Sequence, residues 1–136
     1  MTAIIWGIGL AVLTWAMARA VGFDRDRSFY PTLLIIIASY YVLFAVIGDG
    51  QHDLPVEILI ASAFMLLALA GFRTSPWLIV AGLVCHGTYD AFHAAVVGNT
   101  GAPTWWPAFC GAYDAMLAAL VAFRLVGFQS SHQGHD

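Results

Sequence analysis

The 136-residue chain contains no lysine, and its five basic residues are all arginines: Arg19, Arg25, Arg27, Arg73 and Arg124. Charged side chains of both signs make up only 10% of it. A soluble domain carries about 25% to keep its surface in water, so this chain cannot cover a water-facing surface. No basic stripe is present, which excludes a nucleic-acid footprint. Cysteine is scarce as well. Cys85 and Cys110 both lie inside apolar segments, which excludes a secreted disulfide framework. They read as buried small apolar side chains, with one bridge between neighbouring helices as the alternative. Long period-two alternation is missing, which excludes membrane β-strands. The first apolar run has no basic residues ahead of it, so Met1–Ala20 reads as a retained helix and not as a cleaved signal.

Apolar residues, by contrast, make up 61% of the chain, and the mean hydropathy is +0.82. They fall into five runs, near Thr2–Val21, Phe29–Gly48, Pro55–Phe72, Pro76–Val97 and Trp105–Phe128. A helix needs about 20 residues to cross the hydrocarbon core. The expected fold is therefore all-α, a single domain of five transmembrane helices in an antiparallel bundle. The breaks at Gly22–Ser28, Asp49–Leu54, Arg73–Ser75 and Gly98–Thr104 carry turn residues and charges. Connections this short predict that consecutive helices pack as neighbours. Residues 129–136 read as a flexible polar tail, with His132 and His135 in solvent.

Arginine placement sets the orientation. With five crossings, all five arginines lie on one side. Asp49, His52, Asp53 and Glu57 lie on the other. The positive-inside rule then puts the N-terminus outside and the C-terminus in the cytoplasm, in a bacterial inner membrane. Trp6, Trp77, Trp105 and Trp106 sit near run ends, where amphipathic rings prefer the interface. The expected partner is the lipid bilayer, with self-association as a second, and the substrate, small molecule or lipid, is not specified.

The fourth run interrupts its apolar residues with His86, Asp90 and His93. At about 100° per residue these three share a sector of about 60°. In the fifth run Cys110 and Asp114 share a face, with Gly111 and Ala118 permitting close backbone approach. Counting residues from the run ends puts Asp114 at the depth of His86 and Asp90, in the outer half of the bilayer. An intramembrane charge costs about 2.5–3.5 kcal/mol on insertion scales, far more than a helix-to-helix hydrogen bond returns. The cluster therefore reads as a functional site ahead of a polar seam that merely orders two helices.

Imidazole and carboxylate are ligands for zinc, iron or manganese. The expected metal ligands are His86, Asp90, His93 and Asp114, with Cys110 and Glu57 as secondary candidates and Glu57 at the entrance. Asp90 and His93 repeat the three-residue spacing of di-metal helix bundles. His86 and His93 are about 10.5 Å apart in rise and poorly placed to share one ion. A metal-bound water could hydrolyse a lipid ester or amide. The alternative is a proton- or ion-coupled transporter component using the same residues. Haem on His86 or His93 ranks lower, and a structural or accessory subunit is the plainest reading. Ser39, Tyr40, Tyr41 and Ser62 read as packing groups, and Tyr89 and Tyr113 as stacking rings. Thr104–Pro107 reads as an interfacial anchor.

The stretches His86-Gly87-Thr88-Tyr89-Asp90-Ala91-Phe92-His93, Gly101-Ala102-Pro103-Thr104-Trp105-Trp106-Pro107 and Phe109-Cys110-Gly111-Ala112-Tyr113-Asp114 together resemble a family of small, uncharacterised bacterial multi-pass membrane proteins. The resemblance covers mainly the last two runs and implies a multi-pass membrane fold with no catalytic assignment. Tryptophan-rich sensory proteins also have five helices, but their Trp/Pro-rich stretch belongs to the first loop. Ceramidase-related membrane hydrolases also gather Asp and His in helices, with more of both helices and histidines than here.

Overall fold

The computed structural model describes residues 1–48, 50–97 and 101–133, with side chains through Gly127. Among these residues there is no strand. The apolar runs form α1 (Thr2–Val21), α2 (Phe29–Ile47), α3 (Leu54–Arg73), α4 (Trp77–Val96) and α5 (Trp106–Gln133). The last helix continues past Phe128 into the stretch read as a tail. Asp49, residues 98–100 of the fourth break, the side chain of His132, and His135 lie outside the described residues.

Local chemistry explains the boundaries. Gly22 ends α1 with φ 90°, a left-handed conformation that favours glycine, and its N–H donates to the Ala18 carbonyl. Pro55 sits in the first turn of α3, where its missing N–H is no loss. A short 3-10 turn, Phe23–Arg25, links α1 to α2. The Ser28 backbone N–H, donating to Asp26 Oδ1 at 2.8 Å, closes that link. The same bond holds the Asp26 carboxyl below the usual carboxylate range.

The distribution of side chains is inverted relative to a soluble protein. Trp6, Leu13, Leu59, Leu66, Val84, Phe92 and Phe123 point outward, while Glu57, His86, Asp90, His93 and Asp114 are buried. Among the described residues, four helices are long and apolar enough to cross a membrane: α1, α2, α3 and α5 over Trp106–Gly127. The remaining helix, α4, has the same 20-residue length as α1 and α3. His86, Asp90 and His93 lower its hydropathy, and all three are turned inward, leaving an apolar outer face. The chain is thus an antiparallel helical membrane bundle.

Packing departs from the expected order in one place. Among the described residues, helices α2, α3, α4 and α5 do pack as successive neighbours, but the main partner of α1 is α5 and not α2. Small residues select the partner. Gly7, Ala11 and Ala18 form the buried stripe of α1, and a Cβ on Gly7 would run into the backbone carbonyl of Phe109. Close approach of this kind is how membrane helices gain dispersion contacts. Gly7→Ala should therefore destabilise the protein by about 1–3 kcal/mol through overpacking. Gly9→Ala, with nothing within 4 Å of the new methyl, should be neutral or mildly stabilising. Thermal unfolding in detergent, followed by tryptophan fluorescence, compares the two.

The bundle interior is divided along its length. Toward the arginine side the core is apolar, with Leu34, Ile79, Leu83, Leu117 and Val121 buried together. Toward the other side it is polar, and the histidines and carboxylates occupy that half.

Candidate metal centre

His86 lies nine residues into α4 from Trp77, and Asp114 eight residues into α5 from Trp106. With about 1.5 Å of rise per residue and a hydrocarbon core about 30 Å thick, both fall near mid-bilayer. The helices approach closely at this depth because a glycine faces a glycine. A Cβ on Gly87 would stand 3.3 Å from the Gly111 carbonyl oxygen, and one on Gly111 would stand 3.3 Å from that of Gly87. This contact brings the polar faces of α4 and α5 together.

His86 Nδ1 lies 2.7 Å from Asp114 Oδ2 and 3.5 Å from Asp90 Oδ2. Cys110 completes the group. One donor atom from each of His86, Asp90, Cys110 and Asp114 can be chosen so that all lie within 4.8 Å of one another. All four residues are buried, with at most 3% of their surface exposed. Asp90 Oδ2 and Asp114 Oδ1 are buried without a hydrogen-bond partner in the structure. Two carboxylates this close, in a medium that solvates neither, call for a cation or a proton between them. The group is able to hold a metal ion.

His93 and Glu57 stand apart from this group. His93 Nε2 is 2.6 Å from Glu57 Oε1, and the Tyr89 hydroxyl donates to Glu57 Oε2 at 2.9 Å. Of the expected ligands, the structure brings His86, Asp90 and Asp114 together with the secondary candidate Cys110, and places His93 with Glu57. The seven-residue rise between His86 and His93 carries His93 to α3, and Cys110 takes the fourth place beside His86, Asp90 and Asp114. Glu57, expected at an entrance, is buried. Beside it lies a void of about 10 Å³ bounded by Tyr41, Asp53, Glu57, His93 and Gly101, room for a single water molecule.

Tyr41 joins the two groups, a role that the reading as a packing group missed. Its hydroxyl donates to Asp90 Oδ1 at 2.7 Å. Its ring stacks on His93 with centroids 3.8 Å apart and an 18° interplanar angle. Tyr89 donates a hydrogen bond as well as stacking, and Tyr113 donates to Thr14 at 3.3 Å across the α1–α5 contact. Phe64 closes the site edge-on against His86, with centroids 4.9 Å apart. Both cysteines are free thiols, Cys110 buried in the site and Cys85 on the exposed face of α4.

Comparisons with protein-family models, with curated proteins and with solved structures find no match.

Proposed function

We propose that this protein is a bacterial inner-membrane protein that binds one divalent metal ion among His86, Asp90, Cys110 and Asp114. The observation that carries this reading is the convergence of four buried donor residues within 4.8 Å. Donors of a tetrahedral site bound at about 2.0–2.3 Å stand about 3.3–3.8 Å apart, so a contraction of about 1 Å closes the site. Charge supports it too. A divalent ion offsets the two buried carboxylates, Asp90 and Asp114. Among zinc, iron and manganese, the Cys110 sulfur favours zinc or iron, because thiolates are soft ligands.

The use we propose for the ion is hydrolysis of a lipid-like ester or amide. A groove of about 730 Å³ runs between α4, α5 and the start of α1, walled by Gly87, Ala91, Ala94, Ala108 and Gly111, and Asp90 lies on its wall. Small side chains leave room there for an extended apolar chain entering from the bilayer. An ion held by His86, Asp90, Cys110 and Asp114 would supply Lewis-acid chemistry to a bond presented from this groove.

Elemental analysis of the detergent-purified protein tests the reading. About one metal ion per chain is expected in wild type, and less than a tenth of that in His86→Ala. A second reading, a proton- or ion-coupled carrier component, is favoured by the chain of polar groups from Glu57 and His93 through Tyr41 to Asp90. It is supported instead by a metal-free wild type that takes up solute into vesicles in response to a pH gradient.

A further inference from the structure

At the arginine end of the bundle, away from the histidines, a cavity of about 590 Å³ opens between the 3-10 turn, α2, α4 and α5. Its size is that of a small-molecule site, about 300–1,000 Å³. Three features of its wall point to an anion with an apolar body. Arg25 and Arg27 lie on its rim, with Arg124 beside them. The N-terminal turns of α2, at Tyr30, and of α4, at Trp77, both line it, so two positive helix-dipole ends converge there. Tyr30 is 7% exposed, and its hydroxyl is buried with no partner.

Two carboxylates also line the cavity, Asp24 and Asp26. Arg124 neutralises Asp24, donating through Nη1 to its carbonyl oxygen at 2.6 Å, with Nη2 3.4 Å from Oδ2. Asp26 accepts from the Ser28 backbone. Arg25 and Arg27 remain as exposed cations against one exposed carboxylate. Deeper in, the wall turns apolar, with Ile79, Val121 and Leu125. A free inorganic anion would leave that apolar wall uncovered.

We propose that this cavity binds an anionic phospholipid from the arginine-side leaflet. Arg25 and Arg27 hold its phosphate, Tyr30 donates a hydrogen bond to it, and an acyl chain lies along Ile79, Val121 and Leu125. The proposal is independent of the metal reading, since none of its residues belongs to that centre.

Native mass spectrometry of the full chain, equilibrated with equimolar phosphatidylglycerol and phosphatidylcholine, tests it. An arginine beside an anionic headgroup is worth about fivefold in affinity. Wild type should therefore retain phosphatidylglycerol over phosphatidylcholine by roughly twentyfold or more, and Arg25→Gln/Arg27→Gln should bring the ratio close to parity. Both arginines are exposed, so this variant keeps the fold. Tyr30→Phe, which preserves shape, should reduce the ratio by a few-fold. An unchanged preference in the double variant, no preference in wild type, or release of phosphatidylglycerol by millimolar inorganic phosphate would each overturn the proposal.

Discussion

Asp114→Asn should abolish metal binding at the proposed centre while leaving the bundle assembled, and Asp114→Ala should abolish it and destabilise the bundle by about 3–5 kcal/mol. The carboxylate of Asp114 is fully buried and lies 2.7 Å from His86 Nδ1. Alanine removes both the charge and the nearer acceptor, leaving buried His86 with only Asp90 Oδ2 at 3.5 Å, and breaking a buried pair from one side typically costs that much. Asparagine keeps an oxygen able to accept from His86 and loses the charge that would hold a cation. The two variants thus separate packing from ligation. A ligand bound at a hundred times its dissociation constant stabilises the folded state by about 2.7 kcal/mol. A strong chelator should therefore lower the thermal midpoint of wild type and leave that of Asp114→Asn unchanged. Identical midpoints for wild type with and without chelator, together with no metal by elemental analysis, would remove the metal centre.

The residues of this centre are unevenly legible in the sequence. His86, Asp90 and His93 stand out because polar side chains at helical spacing in an apolar run mark one face that must turn away from lipid. The same logic exposes Asp114 and, four residues earlier, Cys110. What periodicity alone does not carry is which residues of different helices meet. His86 and His93 share a face of α4 yet serve different neighbours, because about 10.5 Å of rise takes them past different turns of α3 and α5. Tyr41 is obscured for another reason. Helix α2 is apolar on all sides, so its hydrophobic pattern has no phase that separates Tyr40 from Tyr41. Only the packed bundle shows that Leu34, Ile37, Ala38, Tyr41 and Ala45 form one buried stripe. The pairing of α1 with α5 is hidden similarly, since Gly7, Ala11 and Ala18 identify a close contact without naming its partner.

The second large effect falls on the pair beside the metal centre. Glu57→Ala should destabilise the protein by about 3–5 kcal/mol without emptying the metal site. Glu57 is the common acceptor for His93 and Tyr89, at 2.6 and 2.9 Å, and it is buried. Its loss removes the acceptor that a buried imidazole and a part-buried hydroxyl share, and an imidazole left unpaired in the core carries the larger share of the cost. Glu57→Gln retains an oxygen acceptor and should recover a large part of that loss. His93→Ala removes the other partner and the ring on which Tyr41 stacks, so its effect on stability should approach that of Glu57→Ala. The decisive comparison is metal content. Because His93 faces Glu57 while Cys110 stands with His86, Asp90 and Asp114, His93→Ala and Glu57→Gln should each retain close to the wild-type amount. His86→Ala should retain almost none. If His93→Ala lost metal as completely as His86→Ala while remaining folded, His93 would be a ligand, and the division of the polar core into a metal centre and a separate imidazole–carboxylate pair would be wrong.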